Sequence, residues 1–431
     1  MRFNVFIIYS NNNIYRLFFY WGLVMRVGIS DIRVFLPLNC LDLNVLLSNS
    51  LYNSNENFFR KFNRAIDATL QKSFRFTSLN EDSVTMASSA VKLIFDNNNL
   101  KLDKMKIFLG GTETGVDYSK SISSYVYGAL KLAGIDLKNH FLTFQAQHAC
   151  AGSALALYSA ASVLSHLDKS EYGIVFSSDI AHYGNLTTAE ITQGAGATAV
   201  LIEQNPKVLS INLSEFGVYT DDVDDFFRPF GSLVAKVKGR YSIECYNKAN
   251  EEALADFAYK KNMSIKDLFS KYRFILHVPF AKMPIDSMHY VLKKYYSEDE
   301  SERNAYLESI DFYDSVEASK EVGNLYTGSI FLSLMSYLKR VFAKKDISGE
   351  KILFCSYGSG NIMVIYELTV EENAHCVVKT WDIDRILSVK HNASFDEYRD
   401  FFENRIVPGE SQGFYLKEIR EDGYRVYGYR A

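Results

Sequence analysis

The sequence predicts an α/β protein in which helices cover both faces of β-sheet. Three observations carry that prediction. Short apolar runs alternate with stretches of helical periodicity along most of the 431 residues. The runs at Met105 to Gly110, Tyr172 to Ser178 and Gly196 to Ile202 are nearly all apolar, as strands buried on both faces are. Only six prolines occur and no Pro/Ser/Gly-rich linker, so two domain-sized halves are expected to be fused tightly.

The elements follow in order. Val27 to Phe35 reads as a strand and Asp82 to Phe95 as a helix. Met105 to Gly110 is a buried strand, Ser121 to Ala133 a helix, and Phe141 to Phe144 an alternating strand. A helix starts after Cys150, and the strands at Tyr172 to Ser178 and Gly196 to Ile202 close the first half. After Pro206 the pattern restarts. It contains a strand at Arg273 to Val278, helices at Ser287 to Tyr296 and Ser329 to Val341, and a strand at Lys351 to Ser356. The boundary falls near residues 203 to 210, giving halves 25–205 and 206–431. The acidic runs Asp221 to Asp225 and Ser297 to Arg303 read as solvated loops or helix faces.

Composition narrows the function. With 48% hydrophobic and 23% charged residues, the chain has the balance of an ordinary globular protein. A net charge of -4 and the lack of a dense Lys/Arg stripe argue against nucleic-acid binding. The five cysteines are scattered and odd in number, and no CxxC pair or HExxH helix occurs. Neither a disulfide framework nor a metal site is signalled, which fits a reducing cytoplasm. Residues 1–24 are aromatic and apolar but interrupted by Asn11-Asn12-Asn13 and Arg16. They are read as an extension without a role, with the working protein beginning at Met25; a weak membrane-associated segment is the alternative.

The chemistry centres on Phe141 to Leu164. A strand passes through Gln145-Ala146-Gln147-His148-Ala149 to Cys150, and a helix of Ala, Ser, Gly and Leu follows. A cysteine opening a helix meets free N–H groups and the helix dipole, which favour the thiolate. It is a candidate nucleophile; a buried core cysteine is the competing reading. Four further signatures sit at element ends. Gly111-Thr112-Glu113-Thr114-Gly115 delivers a carboxylate after a buried strand, where desolvation would make a base, although a capping or surface glutamate fits too. His277 leaves a strand ahead of Val278-Pro279, either at a cleft rim or in the core. Asn324, in Gly323 to Ser329, suits an N-cap or an amide donor. Ser356 to Asn361 is a Gly-rich turn able to aim N–H groups at an oxyanion.

Taken in this order, the Cys150 segment, HVPFAKM, GNLYTGS and SYGSGN are specific. With Thr192 to Ala197 and the Phe227-Arg228-Pro229 to Ser242 segment, they make the chain resemble the hydroxymethylglutaryl-CoA synthase family of the thiolase superfamily, from about Met25 to Tyr366. The resemblance implies a five-layered αβαβα fold of two similar halves. It implies Cys150 as the acylated nucleophile, Glu113 as general acid/base and His277 as a second acid/base group. Tyr183, Thr192, Ser242, Asn324 and Ser359 would line the acyl and pantetheine region, with Lys282 near the coenzyme A entrance. Acetyl-CoA and acetoacetyl-CoA would be the substrates of a mevalonate-pathway condensation with no metal or redox cofactor. A cytoplasmic homodimer is expected, with no membrane or nucleic-acid partner. Departures include Ala151 where the family usually has tyrosine, together with His148 and Lys238. The Cys-Ala-Gly string also resembles ketoacyl synthase III, which lacks a glutamate in the GTETG position. A carrier-protein-dependent β-branching synthase is the other alternative.

Overall fold

The computed structural model describes residues 5–10, 13–18, 26–403 and 405–431. Met25 lies outside the described residues. Of the segment before it, an antiparallel hairpin is described, Val5–Ser10 paired with Asn13–Phe18.

One mixed sheet organises the molecule. Its strands are β1 (Val27–Phe35), β2 (Met105–Gly111), β3 (Leu142–Ala146), β4 (Tyr172–Ala181), β5 (Gly194–Gln204), β6 (Leu209–Thr220), β7 (Arg273–Leu276), β8 (Lys351–Gly358) and β9 (Ile362–Val370). Their spatial order is β7-β8-β9-β6-β1-β5-β4-β2-β3. β6 meets β1 through only Leu209 with Ile29 and Ser210 with Gly28, so the sheet has a narrow seam between two halves. Either side of the seam repeats one pattern. A parallel pair (β2 with β4, β7 with β8) is followed by two antiparallel neighbours (β5 and β1, β9 and β6). β3 extends the first half alone, parallel to β2.

Six helices pack on this sheet: α1 (Ser83–Asn97), α2 (Ile122–Leu132), α3 (Gly152–Leu164), α4 (Gly239–Lys260), α5 (Lys282–Tyr295) and α6 (Ser329–Phe342). The period-2 alternation of the strands decides which helices they meet. Ile107 and Leu109 of β2 join Ile352 and Phe354 of β8 in one central core with α3 and α6. Phe108 points the other way, under α1 and α2. Leu353 and Cys355 point away from the centre too, under α4 and α5. The resulting layers are helix, sheet, helix, sheet, helix, as expected. Full burial of side chains such as Phe331 and Leu334 contributes roughly 1.5–3 kcal/mol each.

Several elements differ from expectation. α5 begins at Lys282 rather than Ser287, because Pro284 falls in the first turn, where no N–H is needed. α4, the 22-residue helix, and strands β6 and β9 were not foreseen. The last hairpin, Gly413–Ile419 with Arg425–Arg430, returns to the first half and buries Phe414 beside α1 and α2. No described helix is long and apolar enough to cross a membrane.

Candidate active site

Equivalent strands of the two halves carry the candidate residues. β2 ends in the turn carrying Glu113, and its counterpart β7 ends at His277. α3 follows Cys150, and α6 follows the Asn324 turn. Close packing joins the Cys150 turn to the turn after β8, and the Asn324 turn to the start of β5. A Cβ on Gly358 would stand 2.2 Å from the His148 carbonyl oxygen, so only glycine lets the turn after β8 touch the Cys150 turn. Gly323 has φ +83°, and a Cβ there would strike the Gln193 oxygen at 1.7 Å; Asn324 N donates to Thr192 O at 3.2 Å.

The turn before Cys150 is tight, with Ala149 at φ +41°. Cys150 is 6% exposed, in an apolar cluster with Tyr183, Ala235 and Tyr326. Its Sγ donates to Glu113 Oε1 at 3.2 Å. The other carboxylate oxygen, Oε2, accepts from Arg228 Nη2 at 3.2 Å, and the same nitrogen donates to the Glu113 carbonyl.

Asp179, at the end of β4, locks the Glu113 turn from beneath. Its Oδ1 accepts from Glu113 N at 2.9 Å, Thr114 N at 3.1 Å, and the hydroxyls of Thr112 and Thr114 at 2.8 and 2.7 Å. Its Oδ2 accepts from Thr327 N at 3.1 Å and from the Thr327 hydroxyl. One buried carboxylate thus joins the GTETG turn to the GNLYTGS turn.

Electrostatics follow from burial. Desolvation first, and the nearby Asp179 charge second, push the Glu113 carboxyl up to about 8, against the opposing pull of Arg228 and the Cys150 hydrogen bond. Cys150 is pushed well above the ordinary thiol range, by desolvation and then by Glu113. That corrects the expectation of a helix-favoured thiolate: here burial and a neighbouring carboxylate outweigh the helix terminus, and the thiol proton is directed at Glu113 instead.

His277 is 1% exposed, which corrects its placement at a cleft rim. It is not a satisfied core histidine either, since neither ring nitrogen has a hydrogen-bond partner among the described residues. Burial pushes its pKa down to about 3, so the ring is neutral at ordinary pH.

Asn324 closes its own turn and is also a donor, but it is not the N-cap of α6, which is Gly328. Its Oδ1 accepts from Tyr326 N at 2.8 Å, and its Nδ2 donates to the Tyr183 hydroxyl at 3.3 Å. Ser242 donates to Asp225 Oδ2 at 3.0 Å, and Tyr357 donates to the same oxygen at 3.1 Å. Gly360 N donates to Asp225 Oδ1 at 3.0 Å, which ties α4 to the turn holding the half-buried Ser359. Asp225 is therefore fully buried, not part of a solvated acidic run. Thr192 turns its hydroxyl to Ala189 O, and Lys282 is half-exposed beside Asp286.

A cavity of about 760 Å³ opens on the Arg228 side of Glu113. Of the nine expected site residues, Glu113 alone is among its described lining, with Thr114, Ala149, His182 and Arg228. Asp179, Asp225 and Arg228 escaped the sequence reading as site residues. Each has at least one partner more than a hundred positions away, and the Phe227-Arg228-Pro229 string was the one local signal.

Two related half-sheets around a central pair of helices, with a cysteine hydrogen-bonded to a buried carboxylate at the start of one of them, place the chain in the thiolase-like class. Comparison with known proteins narrows the class. The hydroxymethylglutaryl-coenzyme A synthase N-terminal model matches residues 24–207 and the C-terminal model residues 311–422, together more than half of the chain. The hydroxymethylglutaryl-CoA synthase of Enterococcus faecalis is 30% identical over 339 residues, covering 78% of this chain and 81% of that protein. That of Haloferax volcanii is 27% identical, covering 75% and 80%. A solved structure of MvaS in complex with 3-hydroxy-3-methylglutaryl coenzyme A superposes with a TM-score of 0.81 at 28% identity, covering 94% of this chain and 99% of that one. The chain belongs to the hydroxymethylglutaryl-CoA synthase family.

Proposed function

We propose that Cys150, Glu113 and His277 carry the family's reaction in this chain. That reaction condenses acetyl-CoA with acetoacetyl-CoA and water to give 3-hydroxy-3-methylglutaryl-CoA and CoA. The observation that carries the assignment is the 3.2 Å contact from Cys150 Sγ to the buried Glu113 carboxylate.

The Cys150 thiol gives its proton to Glu113 as sulfur attacks the acetyl carbonyl. The bond to the CoA sulfur breaks, and CoA leaves with a proton, so acetyl-Cys150 forms. Glu113, ionised again, takes a proton from the acetyl methyl group, and the electron pair moves onto the thioester oxygen as an enolate. Backbone N–H groups at Cys150 and at the Gly358-Ser359 turn suit that oxygen. The enolate carbon attacks the ketone carbon of acetoacetyl-CoA. A neutral His277 with an N–H to donate, assisted by Asn324, suits the ketone oxygen, which ends as the product hydroxyl after gaining a proton. Water then cleaves the Cys150 thioester, leaving a carboxylate on the product and a thiol on the enzyme.

Tyr183, Thr192, Ser242 and Ser359 are assigned to the acyl and pantetheine region, and Lys282, on the surface at the start of α5, to the coenzyme A entrance. Coenzyme A thioesters serve as substrates with no further cofactor, in the cytoplasm. A homodimer is supported by β3, an edge strand with Leu142 46% and Phe144 37% exposed. Intact-protein mass after exposure to acetyl-CoA tests the assignment. Wild type should gain one acetyl group, Cys150→Ala none, and Glu113→Ala should fail to make product even when acetylated. Full acetylation of Cys150→Ala would remove the nucleophile from its role.

A further inference from the structure

We propose that Arg228 is a positioning residue for Glu113: its guanidinium aims the carboxylate at Cys150 and favours the anionic form that accepts protons. The inference rests on Glu113 being the base.

The geometry is a line of three groups. Cys150 Sγ meets one carboxylate oxygen at 3.2 Å, and Arg228 Nη2 meets the other at 3.2 Å while also holding the Glu113 main-chain carbonyl. A guanidinium binding both side chain and backbone of one residue restricts the torsions between them, which fixes where Oε1 points. Both side chains are largely shielded from water, at 15% exposure for Arg228 and 4% for Glu113, so their attraction is weakly screened.

Arg228 reaches this position by construction. It follows directly on Phe226–Phe227, which pairs with Lys236–Val237. The two ends of that excursion are fastened: Lys238 N donates to Asp225 O at 2.8 Å, and Ala235 N donates to His182 O at 3.0 Å.

The charges facing Glu113 leave Arg228 a specific task. From β4 comes Asp179, a like charge; from the turn before α3 comes Cys150; Tyr183 and Tyr326 add polar hydroxyls in the same apolar cluster. Asp117, on the same turn as Glu113, is bound to the N–H groups of Ser119 and Lys120. Arg228 is the cation in direct contact, opposing burial and Asp179, which both favour a protonated Glu113. Without it, the carboxyl holds its proton to higher pH and a smaller fraction is ready to act as base.

The test is exchange of the acetyl methyl protons with deuterium from D2O on enzyme already acetylated by acetyl-CoA. Glu113 removes a proton, the enolate forms, and deuterium returns from the exchanged carboxyl, so mass reports the base step alone. In Arg228→Gln the midpoint of exchange against pH should rise by about one unit or more, with a loss of about tenfold or more at pH 7. Arg228→Lys, which keeps the charge, should bring the midpoint back toward wild type. An unmoved Arg228→Gln midpoint, whether the rate falls uniformly or the profile superimposes on wild type, would show that the guanidinium does not favour the anion and would overturn the inference. Glu113→Gln separates the two layers. Exchange surviving there overturns the base assignment itself, whereas its loss beside an unmoved Arg228→Gln midpoint overturns only the role of Arg228.

Discussion

The proton on Glu113 sets the pH behaviour of the site. Its carboxyl titrates near 8 in the fold, far above an exposed carboxylate, so only about a tenth is ionised at pH 7. The anionic form grows as pH rises through that value, so condensation should climb from pH 6 through 8 and level about one unit higher. The sign for stability is opposite. The unfolded chain releases this proton near 4.5 and the folded chain near 8, so this group lowers stability as pH rises across that window. A condensation rate flat between pH 6 and 8 would contradict the assignment. His277 gives a second check. Its buried ring nitrogens lack partners, so His277→Ala should leave Cys150 acetylation intact and weaken acetoacetyl-CoA binding. An unchanged affinity in the folded variant would sink its substrate role. Residue identities were legible where a motif surrounds them: Cys150 and Glu113, 37 positions apart, do meet. Their protonation was not legible, because burial by distant segments decides it and no local pattern encodes that burial.

Elements were legible in proportion to how uniformly they are buried. β4 and β5, buried along nearly their whole length, stood out as apolar runs. β6 did not, since its residues switch between buried and exposed and its register shifts between Ile211 and Phe216. α4 mixes charged and apolar residues over 22 positions, and its start lies inside a segment read for its motif. The contact between the turn after β8 and the turn before α3 was equally invisible, as it is a meeting of two backbones. It yields a prediction. Gly358→Ala places a methyl group 2.2 Å from the His148 oxygen and 2.9 Å from the Ala151 nitrogen, both backbone atoms that cannot swing aside. The Cys150 turn must move, and a displacement near 1 Å at a reacting group costs about a hundredfold. Acetylation of Gly358→Ala should slow by about that factor while far-UV circular dichroism stays native. Acetylation at the wild-type rate would show that the two turns are not coupled.

At the scale of the whole molecule, the repeat carries separated motifs to matching ends of the two half-sheets. Glu113 and His277, like Cys150 and Asn324, come from matching places in the topology, and α3 and α6 share the central core. The C-terminal hairpin breaks this symmetry by crossing back to the first half, and Asp82 is one of the places where it attaches. Asp82 Oδ1 caps α1 through Val84 N and Thr85 N, while Oδ2 accepts from Arg425 Nη1 at 2.7 Å and the Tyr427 hydroxyl at 2.9 Å. The Asp82 side chain is 3% exposed, so removing its cation leaves a charge in a poorly hydrated place. Losing one partner of such a pair costs about 3–5 kcal/mol, far more than an exposed pair is worth. Arg425→Met keeps much of the side-chain volume and removes the charge. It should lower the melting temperature by several degrees, since about 1 kcal/mol corresponds to roughly 2–4 °C in chains somewhat smaller than this one. Arg420→Met, which removes an exposed partner of Asp422, should change the melting temperature little. Equal, small shifts in the two variants would mean that the hairpin is held by its apolar packing and not by this ion pair; a large loss confined to Arg425→Met would make Asp82 a clasp between the end of the chain and the first half.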